Sequence, residues 1–340
     1  MTAGRGTAAP VPVLCGLGSY LPPTRVPNED VARVLGVTDD WIHQRTGIRA
    51  RRRADPGTAT VEMAVEAGAR ALKSQGHGQV DAVLLATTTP DRVTPSCAPE
   101  VASRLGLTGV AALDLNAACS GFVYALSVAA GYIATGTAER VLVIGAETLS
   151  AVTNPEDRNT ALVFGDGAGA AVLRAGHPDE PGAFGPFVLG SDGTGVDLVG
   201  TPLGGSRTRY AYPDGQSAPY LRMDGRQVFR NAVERMGGAI RHAADKAGWD
   251  LPSVDRIATH QANARISQAL ATSLAVPQER WLTNIEHVGN TSAASVPLLL
   301  DHSVGNGSLT PGARLVIAAF GAGLTWGATT VVWPETAPGE

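Results

Sequence analysis

Lysine is nearly missing from this chain: Lys73 and Lys246 are the only two in 340 residues, and arginine supplies the other positive charges. With acidic residues slightly in excess, the net charge is −4 at pH 7 and the isoelectric point is near 6.0. That balance leaves no basic footprint for nucleic acid, and no basic amphipathic helix suits a membrane surface. Cysteine is scarce too. Cys15, Cys97 and Cys119 are odd in number, far apart, and without a CxxC or Cys/His ligand spacing, which argues against a disulfide framework or a metal site and fits a reducing cytosol. No run approaches the roughly 18 apolar residues of a membrane span. The N-terminal MTAGRGTAAPVPVLCGLG is too short and too interrupted by Pro10 and Pro12 for a secretory core. These absences predict a soluble, cytoplasmic protein whose partners include neither nucleic acid nor membrane.

What is present is globular: 44% hydrophobic and 17% charged residues, enough for two domains or one large pseudo-symmetric unit. Residues 1 to 10 read as a disordered leader. A strand is expected over Val11 to Leu21, then a short helix from an N-cap at Asn28 to Leu35. A second helix, Asp40 to Thr46, is closed by Gly47. The basic cluster Arg49, Arg51, Arg52 and Arg53 follows, either as a solvated face or, with a nearby indole, as a seat for a phosphorylated, adenine-bearing ligand. A helix from about Thr58 to Lys73, a strand Asp81 to Thr87, a helix Ser96 to Leu105 and a strand Arg140 to Gly145 continue the alternation. FGDGAGAAVL runs into an apolar segment instead of opening a helix, so it is a poor dinucleotide motif.

The second half repeats the first. MAVEAGARAL followed by VDAVLLATTT is answered by NAVERMGGAI followed by VDRIATHQAN, with Val80-Asp81 matching Val254-Asp255. Likewise Leu142-Val143-Ile144 before FGDGAGAAVL is answered by Leu315-Val316-Ile317 before FGAGLTWGATTVVW. Two copies of one βαβ-rich unit are implied, divided as 1–181 and 182–340. Between them Gly182 to Tyr220, rich in Gly, Pro and Asp, reads as an insertion bordering a site.

Three residues sit at strand–helix junctions. In LDLNAACSGFVYAL, Cys119 falls where an apolar strand turns into a helical pattern carrying Phe122, Leu126 and Ala129 on one face. The unpaired amides and dipole of that helix favour a thiolate, so Cys119 reads as a nucleophile; as a lone cysteine it reads equally well as a small buried hydrophobe. His260 ends a short apolar strand, and Asn290 precedes a helical run. Each singly is compatible with a structural histidine or an N-cap, but α/β sheets place ligands at such junctions.

The motifs WIHQRTGIRARR, LDLNAACSGFVYALS, DRNTALVFGDGAGAAVL, THQANARI, GNTSAAS and FGAGLTWG, in this order and spacing, make the chain resemble the 3-oxoacyl-acyl carrier protein synthases III of the thiolase superfamily, from about Val13 to Trp333. The resemblance implies a thiolase-like α/β fold, with duplicated halves in an αβαβα layering. It also implies a triad of Cys119, His260 and Asn290, with the amides of Cys119 and Ala322 as an oxyanion hole. Cys119 would accept an acyl group from an acyl-CoA or acyl carrier protein. His260 and Asn290 would then stabilise the enolate left when malonyl carrier protein loses CO₂. Coenzyme A thioester would be a substrate, with no tightly bound cofactor. Trp41 and Arg158 would flank its adenine, Arg45 would meet phosphate, and Asn263 and Phe320 would border the pantetheine tunnel. A homodimer is expected, with the apolar strand after the Cys119 helix continuing the sheet across a twofold axis.

Two departures bear on specificity. Thr94 stands where acetyl-selective relatives carry an aromatic residue that reaches into the partner's acyl pocket. The ISQALATSL segment has no charge where relatives that dock carrier protein show lysines, leaving Arg226, Arg230 and Arg265 as the nearby cations. Three functions are therefore weighed: decarboxylative Claisen condensation priming a fatty acid or polyketide; transfer of the acyl group to a hydroxyl or amine of a small molecule in natural-product assembly; and a silent partner subunit, against which the intact triad argues.

Overall fold

The computed structural model describes residues 9–201, 205–206 and 220–336. All but the last two residues of the expected leader, and most of the insertion between 201 and 220, lie outside the described residues. The strands are β1 (Val11–Tyr20), β2 (Arg25–Pro27), β3 (Ala50–Arg52), β4 (Ala82–Ala86), β5 (Ala111–Leu115), β6 (Arg140–Glu147), β7 (Gly167–Gly176), β8 (Val188–Ser191), β9 (Val199–Gly200), β10 (Arg222–Met223), β11 (Arg256–Thr259), β12 (Arg314–Gly321) and β13 (Thr325–Val332). Two sheets dominate: β1-β7-β6-β4-β5 and β11-β12-β13-β8.

Side chains of a strand alternate between its two faces, so a strand covered on both sides is apolar throughout. In β6, Val141 and Val143 face one core while Leu142, Ile144 and Ala146 face another. In β12, Leu315, Ile317 and Ala319 join the first of these cores, and Val316, Ala318 and Phe320 a third. The shared core lies between the sheets and holds the helices Gly121–Ala134 and Ser295–Gly305. The first of these carries no charge in GFVYALSVAAGYIA, as a helix buried on all sides requires. Thr60–Gln75 and Ala98–Arg104 cover the outer face of the first sheet, and Gly225–Lys246 and Ala264–Leu274 that of the second. The layering is αβαβα, as expected.

The duplication is visible in the pairing. β4 runs parallel to β6, β6 antiparallel to β7, and β7 antiparallel to β1; β11, β12, β13 and β8 repeat these relations in the same order. Asp81 and Asp255 are equivalent: the carboxylate of each accepts from the backbone N–H that opens the next strand, Arg140 in one half and Arg314 in the other.

Some local expectations are corrected. Asn28 does not cap the Asn28–Leu35 helix; fully buried, its amide donates to Asp39 and to the Ile48 carbonyl, tying two helices to the segment that leads into β3. Gly47 does close the Asp39–Thr46 helix, at φ 76°. The basic cluster is divided, with Arg49 and Arg53 exposed. Arg51 is 1% exposed and donates to the Leu162 carbonyl, while Arg49 pairs with Glu286. The strand after the Cys119 helix, β6, is interior and pairs on both sides, so the edge strands of this sheet among the described residues are β1 and β5.

Candidate active site

Cys119 follows β5 by four residues and lies in a short 3-10 turn, Ala118–Ser120, that runs into Gly121–Ala134. Ala118 holds φ at 47°, a strained value for a residue with a side chain, and this sharp corner is what turns Cys119 toward the interior cavity. The second half repeats the device: Ser292, also at φ 47°, opens the 3-10 turn leading into Ser295–Gly305. The corners pack against neighbouring backbone so closely that only glycine fits opposite them. A Cβ on Gly321 would come within 2.7 Å of the Cys119 nitrogen, and one on Gly145 within 2.3 Å of the Ala293 oxygen. Thr325 completes the clamp: its hydroxyl donates to the carbonyl of Ala117 or Ala322 and receives the Ser120 hydroxyl.

Cys119, His260, Asn290 and Ala322 all line one cavity of about 120 Å³. Asn263 and Phe320 line it as well, and Val228, Phe229 and Met236 make its far wall apolar. Val199 and Met223, from the two short strands flanking the insertion, also reach it, so that region does border the site.

Burial works against the thiolate expected at Cys119. Burial pushes the Cys119 thiol up to about 11; the Ser292 hydroxyl works the other way, and the negative Glu147 adds to the rise. Desolvation thus opposes the thiolate that the helix terminus favours. His260 is pushed down to about 3 by burial alone, so its ring is neutral. The Ser295 hydroxyl accepts from the Gln261 amide at 2.7 Å and lies 3.0 Å from His260 Nδ1; when it donates to Nδ1, the ring hydrogen is on Nε2. Asn290 is oriented alike: its Oδ1 accepts from the Ser292 amide, leaving the NH₂ end as the donor. Two buried polar side chains, His260 and Asn290, thus share one cavity with Cys119 and Ala322, and donors gathered there would suit negative oxygen.

The description 3-Oxoacyl-[acyl-carrier-protein (ACP)] synthase III matches residues 113–193, and its C-terminal counterpart matches 244–333. Beta-ketoacyl-[acyl-carrier-protein] synthase III 3 of Streptomyces coelicolor is 53% identical over 329 residues, covering 96% of this chain and 98% of that protein. The chain belongs to the 3-oxoacyl-acyl carrier protein synthase III family. Among solved structures, synthase III of Pseudomonas aeruginosa PAO1 superposes with a TM-score of 0.91 at 45% identity, over 96% of this chain and 100% of that one. The priming beta-ketosynthase of the R1128 polyketide pathway does so at 0.90 and 37%, covering 98% and 99%.

Not every residue that the synthase III resemblance implicates reaches the cavity. Trp41, Arg45 and Arg158 do not line it. The Arg45 guanidinium stacks on Trp41 at 4.0 Å, and the Arg45 carbonyl accepts from Asn263 Nδ2 at 3.1 Å, which joins this pair to the cavity rim. Arg158 pairs with neither Glu156 nor Asp157 among the described residues; its Nε donates to the Leu35 carbonyl. Asn263 also caps the Ala264–Leu274 helix. Thr94 is exposed and outside the cavity, and Arg226, Arg230 and Arg265 are exposed. Sequence reasoning missed Ser292, Ser295 and Glu147. The two serines lie within GNTSAAS, where the repeat would have pointed to Ser292 as the mate of Ala118; Glu147 carries no local signal.

Proposed function

We propose that this chain condenses an acyl group taken from acyl-CoA with malonyl carrier protein, releasing CO₂ and a β-ketoacyl product. The observation that carries this reading is that His260 and Asn290, both buried, line one cavity with Cys119, where the Nε2–H tautomer of His260 and the Asn290 NH₂ would both be donors. The Cys119 sulfur attacks the thioester carbonyl, and the amides of Cys119 and Ala322 hold the oxyanion until coenzyme A leaves. The malonyl thioester then sets its carbonyl oxygen against His260 and Asn290. Its carboxylate departs as CO₂, the electron pair becomes an enolate, and the carbanion attacks the acyl carbon, expelling the Cys119 sulfur. Coenzyme A is a substrate and leaves with each turnover. Trp41, Arg45 and Arg158 receive its nucleotide end, and Asn263 and Phe320 border its pantetheine arm.

The two halves, 1–181 and 182–340, contribute the nucleophile and the two donors respectively. In a homodimer β5, with one side unpaired among the described residues, would extend the sheet, and Thr94 would face the partner's acyl pocket. The setting is cytoplasmic; no helix among the described residues is long and apolar enough to cross a membrane.

The uncharged ISQALATSL face supports a second acceptor, a small alcohol or amine. Carrier proteins are acidic, so docking through Arg226, Arg230 and Arg265 would be steered by charge and weakened by salt. Discharge of the acyl-enzyme should slow several-fold between low and physiological salt, and further in Arg265→Glu. Salt-insensitive discharge onto a small acceptor, without CO₂, would favour the second reading.

A further inference from the structure

Glu147 ends β6, in the half of the chain that carries the nucleophile, and has no exposed surface. Among the described residues every group bonded to it is a hydroxyl or an amide. Oε2 receives the hydroxyls of Thr88 and Thr89, each at 2.8 Å, Oε1 receives the Ser292 hydroxyl at 3.0 Å, and the Thr88 amide lies 3.1 Å from both. A carboxyl group kept out of water with no cation beside it is costly, so its place here is explained by what its oxygens hold.

What Oε1 holds is the Ser292 corner of the second half. Ser292 keeps φ at 47°, and Gly145, two residues before Glu147, lets β6 lie directly against the corner. The corner in turn directs Asn290. The Asn290 main chain is pinned separately, its N–H donating to the Val163 carbonyl and its carbonyl accepting from the Gly165 amide, each at 2.9 Å. The side chain depends on the corner: Oδ1 accepts from the Ser292 amide at 2.9 Å, an Asx turn in which the side chain points where that amide is presented. Two hydrogen bonds therefore link Glu147 to Asn290, one through the Ser292 hydroxyl and one through the Ser292 amide.

We propose that Glu147 is a positioning residue for decarboxylation: by holding the Ser292 corner it fixes the Asn290 side chain with its NH₂ turned to the malonyl carbonyl oxygen. The proposal rests on the role assigned above to Asn290. A donor stabilises an enolate fully only when it already points where the charge develops. An Asn290 side chain released from its corner turns among rotamers and presents the NH₂ for part of the time only. The arrangement is reciprocal between the halves. Thr325, from the second half, anchors the Cys119 corner through the Ala117 carbonyl and the Ser120 hydroxyl, and Glu147, from the first, anchors the corner that serves Asn290. Ala118 holds φ 47° without a hydroxyl, so the Ser292 hydroxyl is not needed to make its turn; it ties that turn to β6.

The test measures two rates in wild type, Glu147→Ala and Ser292→Ala, each with Asn290 intact and with Asn290→Ala. One is acylation of Cys119 by acyl-CoA, followed by intact mass; the other is CO₂ release when the acylated enzyme meets malonyl carrier protein. With Asn290 intact, either change should slow CO₂ release by about tenfold and leave acylation within about twofold of wild type. In Asn290→Ala neither change should slow CO₂ release further, because the donor they orient is already gone. An undiminished further loss in the Asn290→Ala background, or acylation slowed as much as CO₂ release, marks a structural role and overturns the proposal. CO₂ release at the wild-type rate in Ser292→Ala overturns it too. Should Glu147→Ala fail to fold, Ser292→Ala decides by the same cycle, since Ala118 shows that alanine accepts this φ. Asn290→Ala releasing CO₂ at the wild-type rate would instead overturn the functional reading of Asn290 itself.

Discussion

Gly321→Ala tests whether the second half of the chain positions the nucleophile. The added Cβ would lie 2.7 Å from the Cys119 nitrogen and 2.9 Å from both the Ala117 oxygen and the Ser120 nitrogen. An ordinary contact begins near 3.4 Å, so β12 and the Cys119 corner must separate by about 0.7 Å. The obstructing atoms are backbone, and no flexible side chain can give way. Overpacking of this kind costs about 1–3 kcal/mol, which should lower the melting temperature by several degrees. The functional loss should be larger. The amides of Cys119 and Ala322 flank the same contact, and losing register at one oxyanion donor costs roughly 100-fold or more. Stopped-flow quenching with intact-mass detection should therefore give an acylation rate for Gly321→Ala at least about 100-fold below wild type, in a protein whose circular dichroism is native. Acylation at the wild-type rate would refute the argument that this contact builds the oxyanion site.

Cys119→Ala should form no acyl-enzyme and keep its fold, while replacing Cys15 or Cys97 leaves acylation intact; a retained mass shift in Cys119→Ala would contradict this. His260→Ala and Asn290→Ala should each slow malonyl decarboxylation by about 100-fold while sparing acylation, and equal losses in both half-reactions would count against the division of roles. Because burial holds the His260 pKa near 3, the decarboxylation rate of preacylated enzyme should show no inflection near pH 6.5. The sign for stability is opposite to that of a paired histidine: the unfolded chain binds this proton below about pH 6.5 and the folded chain does not, so stability falls as pH drops from there toward 3. Thr94→Phe should shift the acyl preference toward acetyl-CoA, measured by competition between acetyl and longer acyl donors; wild type accepting only acetyl groups would oppose it.

The layering and the site were legible in the sequence to different depths. The alternation of apolar strands with helices, and the answering pairs Val80-Asp81 and Val254-Asp255, carried the duplicated fold because strand and helix periodicity is local. Cys119, His260 and Asn290 were legible as residues at strand–helix junctions. The ionisation of Cys119 and His260 was not. A helix terminus is visible in a sequence, whereas the desolvation that opposes it at Cys119 depends on β12 and the Ser292 corner, both about 170 or more residues away in the chain. The burial of Arg51 was hidden for a related reason: in an arginine run nothing marks the one side chain that turns inward to a distant carbonyl. Asn28 had the residue type of a cap, yet its amide serves tertiary contacts instead. Thr94 and the three arginines are surface residues, and their meaning depends on what docks there.

The most direct test of the central claim is to acylate the enzyme with acyl-CoA, remove free coenzyme, and add malonyl carrier protein while recording CO₂ release, the mass of Cys119 and the carrier-bound product. Decarboxylative condensation predicts one CO₂ and one β-ketoacyl carrier protein for each acyl group lost from Cys119. An acyl-enzyme that persists in the presence of malonyl carrier protein, or that discharges onto a small alcohol or amine without CO₂, would contradict it.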